Sequence, residues 1–213
     1  MLAGQLRHPH GKKGLLTGQM MNTANRYMYD FTLDQMQLRD RERVLEIGFG
    51  NGHLFPKVCA AAKGLQVYGI DHSEQMLKEA TIFNQPLIQN GQLELKKGTS
   101  SQMPWPDHFF DRIFCINVIY FWEKPLETLA EIKRVLKPGG RFYATCRTKE
   151  NMQQMPFTAW HFTSYRIEEW EQQLREAELN PVGSHTAKEP GLQENGVTFT
   201  SEQFCVAAEK PSL

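Results

Sequence analysis

Val44-Leu45-Glu46-Ile47-Gly48-Phe49-Gly50-Asn51-Gly52 is the stretch that decides the fold. A buried-strand run, Val44–Ile47, leads straight into three glycines at alternate positions. Leu54, Phe55, Val58, Cys59 and Ala62 then follow at helical spacing. Strand, glycine turn and helix in that order predict a βα unit whose turn approaches a ligand, because glycine lets the backbone turn tightly with no Cβ in the way. The helix start adds N–H groups and a positive dipole end, suited to an anionic or carboxylate group. Pro56 falls in the first turn, where its missing N–H does least harm, and Gly64 ends the helix. A tight turn without a ligand is the competing reading, and three alternate glycines directly after a buried strand weigh against it.

Outward from this unit the alternation continues. Val67–Ile70 reads as a strand, Ser73 as the cap of a helix with Met76, Leu77, Ala80 and Phe83 on its apolar face, and Leu93–Leu95 as a third strand. Asp111–Val118 is apolar through its middle, as a strand covered on both faces should be. Pro125–Leu136 has helical spacing and is stopped by Pro138-Gly139-Gly140, and Arg141–Cys146 is a fifth strand. Strand–helix alternation predicts an α/β fold, a doubly wound parallel sheet with helices on both faces. Residues 166–178 form one more amphipathic helix. Val182–Ala187 and Phe204–Ala208 have only a Gly/Pro-containing loop between them, so they should pair antiparallel. Before the first strand, Leu16, Met20, Ala24, Tyr27, Met28 and Phe31 are spaced as a helix, and Thr32 with Gln35 predicts a second short helix through Met36 and Leu38. We read one domain: an N-terminal arm and lid helices over 1–40, a cofactor-binding core over 41–147, and an acceptor-side helix with the strand pair over 148–213.

Composition narrows the class. In 213 residues, 24 Lys and Arg balance 24 Asp and Glu, which argues against a nucleic-acid partner, since such affinity comes mostly from phosphate neutralisation by a basic face. With 40% hydrophobic and 23% charged residues the chain is neither disordered nor fibrous. The longest apolar run, Ile113 to Trp122, is about half of a membrane span. Cys59, Cys115, Cys146 and Cys205 form no CxxC pair and read as reduced core residues. With no signal-peptide stretch at the start, they predict a cytoplasmic protein. The seven His show no HxxxH-type pairing and no carboxylate cluster marks the strand ends, so no metal is expected.

Asp71 ends the second strand in Gly69-Ile70-Asp71-His72-Ser73, at the place where a carboxylate accepts hydrogen bonds from ribose hydroxyls. Capping of the next helix is the other reading, but Ser73 already offers that cap. A dinucleotide oxidoreductase also fits a glycine turn and an acid, yet it wants G-x-G-x-x-G, and here the third glycine comes one residue early, with His53 in its place.

The chain resembles the class I S-adenosylmethionine-dependent methyltransferases, and most the small-molecule, quinone- and sterol-like type 11 group. The resemblance runs from about Met21 to Cys146 and rests on LEIGFGNG, YGIDHSEQML, KGTSSQMPWPDHFFDRIFCINVIYFW and VLKPGGRF in family order. It implies a Rossmann-like seven-stranded sheet with an antiparallel last strand and an N-terminal helical cover. It also implies S-adenosylmethionine as cofactor. Glu46 and the backbone of Gly48, Phe49, Gly50 and Gly52 would hold its methionine end. Asp71 would take the ribose hydroxyls, His72 and Met76 would flank the adenine, Thr99 and Ser100 would meet its polar edge, and Asn117 would contact its amino group through the backbone. Family members often carry Asp where this chain has Thr99, so that contact can pass to Ser100, Ser101 or water.

Residues after the fourth and fifth strands should line the acceptor side. Tyr120, Phe121 and Trp122 form one aromatic group, and Phe157, Trp160, His161, Phe162 and Tyr165 another, which suggests a flat or apolar small-molecule acceptor; ordinary core is the alternative for each. Asn22, Asn25 and Tyr29 mark the polar side of the N-terminal helix, which either closes over the cofactor or faces solvent. His53, His108 and His161 are candidate bases, with none assigned. Asn117-Val118-Ile119-Tyr120 lacks the Pro-Pro-aromatic motif of DNA amino-methylation, and Cys115 lies inside a strand without a preceding Pro, which disfavours covalent attack on cytosine.

Overall fold

The computed structural model describes residues 21–23, 25–154, 162–189, 192–194, 197–199 and 201–212, together with residues 4, 11, 14 and 16. Its first strand, β1 (Arg43–Ile47), leads into the glycine turn and α2 (Phe55–Ala60), following an N-terminal helix α1 (Arg26–Met36). Then come β2 (Gln66–Asp71), α3 (Glu74–Phe83), α4 (Gln85–Gln89), β3 (Leu93–Lys97) and β4 (Phe110–Ile116). A short 3-10 turn at Ile119–Phe121 precedes α5 (Pro125–Val135) and β5 (Leu136–Arg147). The chain continues through α6 (Lys149–Gln153), α7 (Ile167–Glu176), β6 (Asn180–Lys188), β7 (Leu192–Glu194), β8 (Val197–Phe199) and β9 (Glu202–Glu209).

The main sheet has seven strands in the order β3-β2-β1-β4-β5-β9-β6. All neighbours are parallel except β9, which runs antiparallel to both β5 and β6. The doubly wound sheet and its reversed strand are thus as the sequence predicts. Each inner strand is apolar on both faces because each face is covered. Leu45, Ile113, Cys115 and Phe142 join Leu129, Ile132, Trp170 and Leu174 of α5 and α7 in one cluster. Val44, Phe114, Ile116 and Tyr143 join Met28, Phe55, Val58 and Ala80 of α1, α2 and α3 in the other. From β1 the chain winds one way through β2 and β3, then returns to β4 on the other side, so a crevice opens between the C-terminal ends of β1 and β4, where ligands bind in such sheets.

Several elements differ from expectation. Thr32 caps nothing. It lies inside a single helix α1, where its hydroxyl donates to Met28 O at 2.6 Å and meets Thr145 Oγ1 at 2.7 Å. The expected helix before it, from Leu16, falls partly outside the described residues. Helix α2 begins only at Phe55 and has six residues, too short and too late to aim a strong dipole at the glycine turn. Strand β5 starts at Leu136, directly after α5, and Pro138-Gly139-Gly140 forms an irregularity within it, where the pairing with β4 shifts register. Between β6 and β9 the expected loop contains a small antiparallel hairpin of β7 and β8. Ser73 does cap α3, accepting from Met76 N at 3.3 Å.

Gly52, with φ +68°, has a packing reason for its glycine. A Cβ there would lie 2.6 Å from Ala80 Cβ and 3.1 Å from Phe55 Cδ2. Its carbonyl accepts from Asn84 Nδ2 at 2.9 Å. Gly52→Ala should therefore destabilise the fold by about 2–4 kcal/mol in chemical denaturation, from left-handed strain and overpacking together; a loss below about 1 kcal/mol would contradict this packing role.

Candidate functional site

At the crevice lies a cavity of about 600 Å3. One wall is the glycine turn. Gly48 and Gly50 have φ of +74° and +57°, a region that L side chains rarely adopt. At Gly48 a Cβ would strike Val118 Cγ2 at 2.5 Å, whereas at Gly50 it would meet no atom within 4 Å. Gly48 is glycine for packing, and Gly50 leaves open cavity where a side chain would otherwise stand.

The amides of the three glycines are engaged within the protein. Gly48 N donates to Ile70 O at 2.8 Å, Gly50 N to Asp71 Oδ2 at 2.9 Å, and Gly52 N to Phe49 O at 3.1 Å. These three N–H groups are therefore directed within the protein and not into the cavity. The glycines offer instead a rigid surface free of side chains. Asp71, at the end of β2, holds that surface: its second oxygen, Oδ1, accepts from Ser73 N at 2.8 Å. The ribose and capping readings of Asp71 are therefore not exclusive, because the carboxylate lines the cavity while bonding both amides, and it has about four acceptor positions.

The structure brings most of the predicted residues together. Gly48, Phe49, Gly50, Asp71, His72, Met76, Thr99, Ser100 and Asn117 line the cavity. Met76 is 1% exposed and so fills core as well. Gly52 is not in the lining, for the packing reason given above. Glu46 is also set back from it, 2% exposed beneath the turn, where it accepts the hydroxyl of Tyr29. Asn117 adopts φ +58°, a left-handed conformation that Asn tolerates and that re-aims the chain as β4 ends. Its Nδ2 donates to Asn25 Oδ1 at 3.0 Å, and its Oδ1 accepts from the Tyr120 hydroxyl at 3.1 Å.

On the acceptor side Asn22, Tyr29, Tyr120 and Trp122 line the cavity. Trp122 is mostly core, set against Phe142 and Trp170 with ring centroids 6.3 and 5.8 Å away. Phe157, Trp160 and His161 lie outside the described residues. Tyr165 packs on Trp170 and stays in the core, whereas Phe162 lines the cavity and sits 4.8 Å from the Phe121 ring. The polar side of α1 and its N-cap is therefore no solvated face: Asn25, just before the helix, bonds to Asn117 just past β4, while Tyr29 and Thr32 bond to β1 and β5. Of the candidate bases, His53 stacks on Phe83 at the cavity mouth. His108 precedes β4, at the far end of the sheet, with Nδ1 3.0 Å from Lys210 Nζ.

Sequence reasoning missed Arg147 and Met152, which also line the cavity. Arg147 ends β5 and pairs with Glu189, NH1 to Oε2 at 3.2 Å. The rule that ligands gather at strand ends would have found it, had the strand been carried one residue past Cys146. Asn84, which ties Gly52 to the end of α3, had no local signature. Among the described residues no group of three or more His, Cys, Asp or Glu is placed to hold a metal, and no helix is long and apolar enough to cross a membrane.

Burial pushes the Glu46 carboxyl up to about 8, with the nearby Asp71 adding to the rise and the Tyr29 hydrogen bond opposing it. Burial likewise raises the Tyr29 hydroxyl, with Glu46 and Asp71 contributing. A carboxyl raised in the folded state stabilises the fold fully below its ordinary value near 4.5, and that contribution is lost as pH climbs through about 8. Glu46→Gln is neutral at every pH. Its melting temperature relative to the natural protein should therefore rise between about pH 5 and about pH 8; a difference that stays constant or falls would contradict the raised carboxyl.

Comparison with known proteins agrees with this geometry. Residues 45–144 match a family described as a methyltransferase domain. The uncharacterized methyltransferase YdaC of Bacillus subtilis (strain 168) is 29% identical over 136 residues, covering 64% of this chain and 73% of that protein. The 24-methylenesterol C-methyltransferase 2 of Arabidopsis thaliana is 28% identical over 127 residues, 60% of this chain but only 35% of that protein. Among solved structures, the complex between the Haloferax volcanii Trm112 methyltransferase activator and a methyltransferase holds a chain of the same fold. Its TM-score is 0.79 at 19% identity, over 91% of this chain and 93% of that one. The nicotinamide alternative falls away with these matches: the chain is an S-adenosylmethionine-dependent methyltransferase whose residues 45–144, a little under half of its length, match the methyltransferase domain.

Proposed function

We propose that this methyltransferase modifies a small apolar or aromatic acceptor, and that the cavity holds cofactor and acceptor side by side. The observation that carries the reading is the continuity of the cavity: one space joins the bare surface at Gly50 and the Asp71 carboxylate to an apolar wall of Phe121, Met152 and Phe162. The name of the Arabidopsis sterol C-methyltransferase supports an apolar acceptor. The four free, buried cysteines support a cytoplasmic location.

The cofactor fits the residues present. Gly50 leaves the room that a Cβ would fill, and Asp71 borders it with a carboxylate fixed by two amides. In this reading Asp71 accepts from the ribose hydroxyls. His72 and Met76 flank the adenine, Thr99 and Ser100 meet its edge, and the backbone at Asn117 contacts its amino group. Gly48, Phe49 and Gly50 lie against the methionine portion, and Glu46 supports them from below. Bound there, S-adenosylmethionine supplies a methyl group already activated by positive sulfur. The protein's share of catalysis is then alignment and a dry pocket. Helix α1 and the residues just before it supply a cover, with Asn22, Asn25 and Tyr29 over the crevice, and the aromatic side chains orient the acceptor and keep water out.

Two measurements test this. Asp71→Ala should weaken binding of S-adenosylhomocysteine by about 2–4 kcal/mol in calorimetry, since it removes hydrogen bonds to a charged acceptor; a loss under about half a kcal/mol would take Asp71 away from the ribose. Incubation of the protein with cell extract and S-adenosylmethionine labelled in its methyl group should place label in the organic-soluble fraction. Label confined to the aqueous fraction would contradict an apolar acceptor.

A further inference from the structure

Beyond supporting the turn, Glu46 has a second notable feature, its burial. It stands in β1 two residues before Gly48, on the face toward α1, and is 2% exposed. Its hydrogen-bond partner is the hydroxyl of Tyr29, itself a lining residue of the cavity. The titratable groups that bear on this pair are Asp71 from β2, which acts on both members, and the thiol of Cys115 from β4, which feels Glu46. His72 lies next to Asp71, Nδ1 to Oδ1 at 3.7 Å, and no Lys or Arg is among the groups that act on the pair. A buried acid, a buried phenol and a second carboxylate thus lie together under one wall of the cavity.

Burial of an acid among acids favours its neutral form, and a cation placed nearby reverses that preference. The methyl donor carries a sulfonium, an ammonium and a carboxylate, a net single positive charge, whereas the product left after methyl transfer has lost the sulfonium charge and is neutral. We propose that the Tyr29–Glu46 pair tells the cationic donor from the neutral product: Glu46 gives up its proton to solvent when the donor occupies the cavity and takes one back once the methyl group has left. The ionised carboxylate then attracts the donor more strongly than the product, which has lost the sulfonium charge, so proton uptake at Glu46 accompanies the change from the tightly held ligand to the one to be released. The hydroxyl of Tyr29 remains the hydrogen-bond donor to the carboxylate throughout, which favours its charged form. This inference rests on the placement of the cofactor proposed above. It deepens that placement by assigning the buried pair behind the cavity wall a role in discriminating donor from product.

Calorimetry in two buffers of different ionisation enthalpy gives the number of protons released per ligand bound. At about pH 7.5 the natural protein should release more protons with S-adenosylmethionine than with S-adenosylhomocysteine. Its relative affinity for the donor should rise severalfold as pH increases toward that of the raised carboxyl. Glu46→Gln should abolish the part of this difference that comes from the protein, and so provides the baseline for the ammonium groups of the ligands themselves. Tyr29→Phe retains the carboxyl without its donor and should move the pH dependence upward. Equal proton release for the two ligands in the natural protein would overturn the proposal, as would an undiminished difference in Glu46→Gln. If Glu46→Gln does not fold, an unmoved pH dependence in Tyr29→Phe overturns it instead. Failure of either ligand to bind the natural protein would overturn the cofactor placement itself, whereas binding with equal proton release overturns only the role of Glu46.

Discussion

The carboxylate of Asp71 is the constraint on which the site depends. One oxygen holds the amide of Gly50 and the other the amide of Ser73, so the end of β2 is tied both to the glycine turn after β1 and to the start of α3. A turn of three positive-φ glycines is conformationally loose by itself, because glycine loses more freedom on folding than any other residue. The tie to Asp71, the Gly48 amide on Ile70 O and the Asn84 amide on Gly52 O replace that freedom with one conformation. The cavity wall is therefore shaped before any ligand arrives, and ligand binding need not bear the cost of ordering it.

Helix α1 completes the enclosure by polar rather than apolar contacts at its inner face. Asn25, which precedes the helix, reaches Asn117, Tyr29 reaches Glu46, and Thr32 reaches Thr145, so the helix and its N-cap touch the turn after β4 and the strands β1 and β5. Met28 and Met36 on the same helix sink into the apolar cluster beside them. Hydrogen bonds among buried partners are directional and costly to leave unmade, which fixes the height and rotation of the helix over the crevice more sharply than apolar packing would.

The sheet was legible because its signals are local. Apolar runs, a glycine turn and a Ser73 cap lie within a few residues of one another, and each predicted strand appears in place. What was misread depends on distant partners. Thr32 looks like a capping residue until Thr145, far along the chain, is folded against it. The packing reason for Gly52 is hidden until Ala80 arrives beneath it. The Pro138-Gly139-Gly140 segment looks like a stop, yet β4 continues to pair across the irregularity with Leu136. For the site, Asp71 and Gly50 announce themselves by position after strands. Arg147 and Asn84 do not, because an Arg at a strand end or an Asn at a helix end has many ordinary uses. The short hairpin of β7 and β8 lacked the alternation needed to reveal it.

The most direct measurement of the central claim is a crystal structure of the protein with S-adenosylhomocysteine bound. The ribose hydroxyls are expected within hydrogen-bond distance of Asp71, with the amino-acid portion against Gly48 and Gly50 and the Gly50–Asp71 bond retained. A nucleoside found elsewhere, or one whose binding requires Asp71 to release the Gly50 amide, would contradict that claim.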